Sequence, residues 1–218
     1  MENTILQFEH VTGTSRKFHL TDVNFSLPAG YLMGLAGKNG AGKTTLLDYI
    51  MNPKMQYNGT IRLCGEDIRK DHVKCLEIIG FVSEKNQFFY EYSAQKNAQL
   101  LGGFYQNFDM EMFRSAMKKM EVGTGKIVGK MSRGELMRFQ MAFAMAHGTR
   151  LYLLDEATAG MDPVFRVDFF RLLHEIIKEE QASVLMATHL SEELEHKMDY
   201  VGIMEKGQMI SFGESMPA

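Results

Sequence analysis

Nine consecutive residues constrain this chain more than any others: Gly37, Lys38, Asn39, Gly40, Ala41, Gly42, Lys43, Thr44 and Thr45 satisfy the pattern GxxxxGK[ST] at every specified position. Their flanks agree. An apolar run, Leu32 to Ala36, leads in with the composition of a buried strand, and Leu46, Leu47 and Ile50 lead out at helical spacing. The three glycines let the backbone fold over an anion and turn successive N–H groups inward, and the following helix adds the positive end of its dipole. The stretch is a cradle for phosphate. Lys43 can reach the β- and γ-phosphates as a point charge, and the Thr44 hydroxyl can ligate Mg²⁺.

Composition narrows what surrounds that loop. With 218 residues, 45% hydrophobic and 23% charged, the chain has the balance of a globular protein with a substantial core. A net charge of -3 argues against a general nucleic-acid binder, and no nucleic-acid partner is expected. Cys64 and Cys75 match no metal-ligand spacing and read as free thiols in a reducing compartment. Residues 1–10 lack the basic and apolar regions of a signal peptide, and no apolar run approaches the ~18 residues of a spanning helix. A soluble chain is expected, reaching a membrane only through a partner.

Taken in order, residues 5–11 and 23–27 alternate apolar and polar positions as an antiparallel pair, and 12–17 between them have turn composition. Pro28, Ala29 and Gly30 turn into the strand before the phosphate loop, and Pro53 ends the helix after it. Asn58 and Gly59 open a short strand, 60–64, and 78–82 read as another, apolar one. From Ser83 to Tyr92 the chain is a polar loop bearing Phe88, Phe89, Tyr90 and Tyr92, and helical patterns dominate 93–147. The last of these helices begins at Ser132, with Glu135 three residues on as a capping box, and Gly148 suits its end. Strand pattern returns at 151–154; Asp162 and Pro163 open a helix carrying Phe169, Leu172, Leu173, Ile176 and Ile177. A buried strand, 184–187, leads to Thr188 and His189, and strands 200–204 and 208–212 close the chain as a hairpin through Lys206 and Gly207. The division expected is a nucleotide-binding core of residues 1–84 and 149–218 around a helical subdomain, 85–148, within one domain.

Asp155 and Glu156 stand at the end of an apolar strand, the arrangement in which one carboxylate orders Mg²⁺ and a second polarises an attacking water. Asp155 takes the first role and Glu156 the second. Two acids after a strand also serve as a solvated turn or a helix cap, and the phosphate loop upstream favours the catalytic reading.

Met131, Ser132, Arg133, Gly134 and Glu135 lie upstream of these acids, Ala159, Gly160, Met161 and Asp162 follow them, and His189 ends the next strand. In that order and spacing the chain resembles, over essentially its whole length, the nucleotide-binding subunit of ATP-binding cassette (ABC) transporters. The first group occupies the place of the LSGGQ signature, the second that of the D-loop, and His189 that of the switch histidine. A histidine ending a strand is by itself more often structural; only the order of motifs reverses that judgement. The resemblance implies an α/β fold of the P-loop NTPase class, an ABC ATPase with a parallel core sheet, an antiparallel β subdomain and an inserted α-helical subdomain. It implies hydrolysis of ATP with Mg²⁺ between the phosphate loop of one subunit and the signature of a second, identical or different. Ser132, Arg133, Gly134 and Glu135 would face that second subunit's nucleotide, with Glu156 and His189 catalytic. The partner implied is an integral membrane permease, the place the cytoplasmic face of the membrane, and the Ser-Arg-Gly signature, Glu84 and the short C-terminus resemble exporters of the ABC-2 type, including those handling antimicrobial peptides and drugs.

Departures from the family pattern carry expectations too. Glu84 stands where a glutamine usually links Mg²⁺ and water to the membrane partner, so it is either a metal ligand with Thr44 and Asp155 or a solvated loop acid. Arg133 replaces a glycine and can neutralise phosphate; Glu135 replaces a glutamine and brings negative charge towards it unless it stays turned back on the capping box. Thr14 stands where the family often has an adenine-stacking aromatic, and Phe18 can substitute. The aromatics from Phe88 to Tyr92 either pack the helical subdomain or line a groove for a helix of the membrane subunit. Two rivals remain: a soluble ABC ATPase acting on ribosomes or DNA, which usually carries two cassettes or long coiled-coil inserts, and a small P-loop kinase, which would carry an arginine-rich lid.

Overall fold

Two hydrophobic periodicities build two sheets. The computed structural model describes residues 4–15, 18–85, 87–158, 160–189 and 198–215. In chain order the elements are β1 (Thr4–Ser15), β2 (Phe18–Pro28), β3 (Leu32–Ala36), α1 (Lys43–Met51), β4 (Tyr57–Leu63), β5 (Glu66–Asp67), α2 (His72–Glu77), β6 (Ile79–Ser83), α3 (Ala94–Leu101), α4 (Met110–Lys119), α5 (Arg133–Ala146), β7 (Leu151–Asp155), α6 (Pro163–Glu180), β8 (Ser183–Thr188), β9 (Tyr200–Glu205) and β10 (Gln208–Glu214). The alternating strands form a four-stranded sheet in the order β2-β1-β4-β5, antiparallel throughout. A six-stranded sheet, β10-β9-β3-β8-β7-β6, takes in the buried strands β3, β7 and β8 at its centre, is parallel from β9 to β6 and is closed at one edge by the antiparallel β10.

The central strands β3, β7 and β8 are apolar on both faces because both faces are covered. Leu32, Tyr152, Leu154, Val184 and Met186 point into a core shared with α4, α5 and α6, where Phe113, Phe139 and Phe169 lie. Met33, Leu35, Leu153, Leu185 and Ala187 point to the other face, against α1 and the antiparallel sheet with its Leu6, Phe8 and Phe25. The helices between β6 and β7 share the first of these cores with the sheet, so α5 packs directly over β6 and the sites at either end of that helix are held in register with the strands.

Two local expectations change. Residues 12–17 are not a turn throughout: pairing continues through Thr14↔His19 to Ser15↔Phe18, and Arg16 and Lys17 lie outside the described residues. The Thr14 hydroxyl meets His19 Nδ1 at 2.8 Å, a cross-strand polar pair that the alternation of shorter apolar runs does not reveal. Asn58 and Gly59 lie within β4 instead of before it. Gly59, with φ +86, faces a bulge of β1 at His10, where any Cβ would collide with the Glu9 and His10 carbonyls.

Candidate functional site

The parallel strands end side by side, with Ala36 opposite Thr188, Ala187 opposite Asp155 and Asp155 opposite Ser83. Residues that follow β3, β6, β7 and β8 are thereby gathered at one edge, outside the carboxyl ends of the strands where α/β sheets bind ligands.

After β3 the loop passes through Gly40 at φ +80 and Gly42 at φ +112 before α1 begins at Lys43. Among the described residues no side chain caps α1, whereas Asp71, Ser93, Asp109, Ser132 and Asp162 cap the other described α-helices. Its first-turn N–H groups face the loop without a side-chain acceptor, as an anion cradle requires. Lys43 is 4% exposed and donates to the carbonyls of Gly37 at 2.7 Å and Lys38 at 3.3 Å. Burial lowers its pKa, and Glu156 and Asp155 work against that shift. Phe18 lies across the loop, its ring so near Gly42 that an added Cβ would stand 2.6 Å from it.

Thr44 and Asp155 come together from separate elements: the hydroxyl of Thr44 donates towards both carboxylate oxygens of Asp155, at 3.1 Å each. Burial raises the Asp155 pKa most, and Glu156 and Asp48 raise it further. A hydroxyl and a carboxylate with further acids close by are the hard oxygen donors that Mg²⁺ takes alongside substrate phosphates, so these residues fit the ion. Glu156 follows at φ +51, a left-handed conformation uncommon for this residue, fixed by its N–H donating to the Ala187 carbonyl at 3.0 Å. Its carboxylate sits between Lys43 Nζ at 3.9 Å and His189 Nδ1 at 3.7 Å. A cavity of about 330 Å³ opens over these groups, lined among others by Phe18, Lys43, Thr44, Glu84, Asp155 and Glu156.

At the start of α5, Ser132 and Glu135 form a reciprocal capping box: the Ser132 hydroxyl accepts from the Glu135 N–H at 3.3 Å, and Glu135 Oε2 accepts from the Ser132 N–H at 2.9 Å. Lys126 donates to both carboxylate oxygens at 2.7 Å and, as the largest influence, holds the Glu135 pKa at about 2. Glu135, expected among the nucleotide-facing residues, is thus turned back on its own helix with both oxygens engaged. Arg133 and Gly134 border a second cavity with Ser132, Gly160, Met161 and Phe165. Asp162 caps α6 by accepting from the Val164 and Phe165 N–H groups at 2.8 and 3.2 Å, and Ala159 lies outside the described residues.

Glu84, expected either with Thr44 and Asp155 or as a solvated loop acid, is half-exposed and paired with Arg133, Nη2 to Oε1 at 2.5 Å, and it borders the first cavity together with Thr44 and Asp155. Below it, Ser83 is anchored to α5: its N–H donates to Gln140 Oε1 at 3.1 Å and its carbonyl accepts from Gln140 Nε2 at 2.9 Å, all buried. Sequence reasoning passed over Gln140. The one signal for it was a polar residue among Phe139, Met141, Ala142 and Phe143 on a helix. Lys126, too, gave no sign of its bond to Glu135.

The aromatic loop divides between its two readings. Phe88 packs on Phe139 and Phe143, with ring centroids 4.5 and 5.1 Å apart, while Phe89, Tyr90 and Tyr92 are exposed. Beside Phe88 runs a groove of about 430 Å³ lined by Val73, Leu76, Phe81, Leu101, Phe104 and Tyr105 among others, in which Phe104 is 80% and Val73 74% exposed. Among the described residues no helix is long and apolar enough to cross a membrane.

The family model described as ABC transporter matches residues 20–159. The chain is 31% identical over 192 residues to the bacitracin transport ATP-binding protein BcrA of Bacillus licheniformis, covering 86% of this chain and 62% of that one. It is 30% identical over 190 residues to the ABC transporter ATP-binding protein YtrB of Bacillus subtilis, covering 87% and 65%. The chain therefore spans somewhat less than two thirds of the length of these relatives. Among solved structures, cbiO1 of Clostridium perfringens, part of the ABC transporter complex cbiONQ, superposes with a TM-score of 0.84 at 26% identity, covering 98% of this chain and 90% of that one. The match of the family model over more than half of the chain and the superposition on a solved cassette show that the chain belongs to the ABC transporter family as one of its ATP-binding members.

Proposed function

We propose that this chain binds and hydrolyses ATP as the cassette subunit of an ABC exporter. The observation that carries the reading is the convergence, over one cavity, of Lys43 after β3, the Thr44–Asp155 pair, and Glu156 held between Lys43 and His189. In this reading residues 37–45 cradle the phosphates, Lys43 leaves its loop carbonyls for the terminal phosphate oxygens, and the Phe18 ring packs beside the base. Mg²⁺, when bound, neutralises phosphate charge, and Thr44 and Asp155 are the residues that hold it.

Hydrolysis breaks the bond between the γ-phosphorus and the oxygen left on ADP, while a water oxygen joins phosphorus and the water loses a proton. Glu156, which lines the cavity beside Lys43, takes that proton. His189 Nδ1 approaches the same Glu156 oxygen as Lys43 and steadies that carboxylate. As the family resemblance implies, Ser132, Arg133 and Gly134, which border a cavity beside the nucleotide cavity, serve a nucleotide held by a second cassette, and two chains associate head to tail around two ATP molecules. The division into a core of residues 1–84 and 149–218 and a helical part, 85–148, belongs to the same proposal.

The groove bearing Val73 and Phe104 is the face we assign to a membrane permease, which places the cassette at the cytoplasmic side of a membrane. The likeness to a bacitracin transport protein supports a peptide antibiotic or drug as cargo and export as the direction. The deciding experiment is to tag the chain in its native cell, solubilise membranes gently and identify stoichiometric companions by mass spectrometry. A polytopic membrane protein is the expected result; ribosomal or DNA-bound proteins in its place overturn the transporter reading in favour of a soluble ABC machine.

A further inference from the structure

Two residues that depart from the family pattern meet in space. Arg133 Nη2 lies 2.5 Å from Glu84 Oε1, and the same guanidinium crosses Gly160, where a Cβ would stand 2.8 Å from Nη1. Arg133 therefore touches the loop after β6 and the turn before α6 while standing at the first position of α5. Glu84, together with Ser83 and Glu156, borders both the nucleotide cavity and the signature cavity. It is part of the wall between them. The foot of that wall is rigid, because Gln140 holds the Ser83 backbone by two buried hydrogen bonds, but the Arg133 and Glu84 side chains are 57% and 54% exposed. An ion pair so open to solvent is weak and is readily exchanged for a stronger partner. Phosphate is such a partner for a guanidinium, and Arg133 stands at a helix N-terminus that favours it.

We propose that Arg133 and Glu84 form an exchangeable clasp: in the free subunit Arg133 holds Glu84 to the signature side of the wall, and phosphate arriving at the start of α5 takes Arg133 over and frees Glu84 to face the Thr44–Asp155 position. This rests on the reading of the site as an ATP site completed by a second cassette. Its consequence is that filling one nucleotide site changes the metal site of the other through one side-chain exchange inside one chain.

The test is the Mg²⁺ dependence of binding of a fluorescent, non-hydrolysed ATP analogue to the isolated subunit. Arg133→Gln unlocks the clasp and lowers the Mg²⁺ midpoint by up to about fivefold, the most an exposed pair exerts. Glu84→Gln leaves the midpoint of the free subunit near the wild-type value, because the clasped carboxylate is silent there. In the double variant the gain disappears. If Arg133→Gln lowers the midpoint equally with Gln at position 84, removal of a distant positive charge explains it and the clasp is overturned; no shift in either background overturns it too. In an ATP-trapped dimer on a Glu156→Gln background, Glu84→Gln should raise the midpoint, because there the carboxylate is free. Lys43→Ala separates the two readings: retained analogue binding by that variant defeats the ATP site itself, whereas lost binding beside an unmoved Arg133→Gln midpoint defeats only the clasp. Both positions are exposed, so melting temperatures should stay within a few degrees of wild type.

Discussion

Glu156 shows how much rests on single residues. Its backbone is held left-handed by the Ala187 carbonyl, and its carboxylate lies within 4 Å of both Lys43 and His189. Glu156→Gln keeps the size and most of the contacts but cannot accept a proton at that point, so steady-state ATP turnover should fall by about 10²–10⁴-fold with nucleotide affinity retained. Rapid-quench turnover beside equilibrium binding checks both halves, and normal hydrolysis by the variant removes Glu156 as the base. Glu135 makes a prediction in acid. Its pKa is held at about 2 against an ordinary 4.5, so its bonds to Lys126 and the Ser132 N–H stabilise the folded chain fully above pH 4.5, and that stability is lost as pH falls towards 2. Thermal melts across that window should show wild type losing more stability than Glu135→Gln; parallel curves would mean that the Lys126–Glu135 contact carries no weight in solution.

At the scale of elements, α5 joins the two cavities. Its first turn presents Ser132, Arg133 and Gly134, and one face carries Phe139 and Phe143 into the core. Between them Gln140 grips Ser83 at the end of β6. Replacing it with Leu leaves a buried N–H and a buried carbonyl without partners, which costs about 2–4 kcal/mol. The melting temperature should drop by roughly 5–15 °C, and the Ser83 amide should exchange faster with deuterium. Unchanged exchange there would show that the loop after β6 is anchored by something else. Much of this level was legible beforehand. The capping box at Ser132, the Asp162–Pro163 start of α6 and the closing hairpin are local patterns in which neighbours along the chain carry the signal. At residues 12–15 and 58–59 cross-strand pairing overrides local turn composition, which neighbours along the chain do not reveal.

For the whole molecule, the distribution of exposed apolar surface makes a further test. Phe104, at 80% exposure, contributes little to the core, so Phe104→Ser should leave the melting temperature within a few degrees of wild type while weakening capture of the proposed membrane permease from detergent extracts. A fall in stability with undiminished capture would return that residue to a packing role. The sequence alone determined the α/β layering, the glycine-rich loop before α1 and the paired acids at the end of β7, because each is written in contiguous residues whose periodicity and spacing survive without knowledge of distant contacts. Only the tertiary structure decided that Glu84 reaches Arg133, that Lys126 turns Glu135 away, that Gln140 anchors Ser83 and that two cavities share one wall. Those relations join side chains from separate strands, loops and helices, and the chain's own order does not encode which of many polar residues will be brought within hydrogen-bonding distance once the sheet has twisted and the helices have packed upon it.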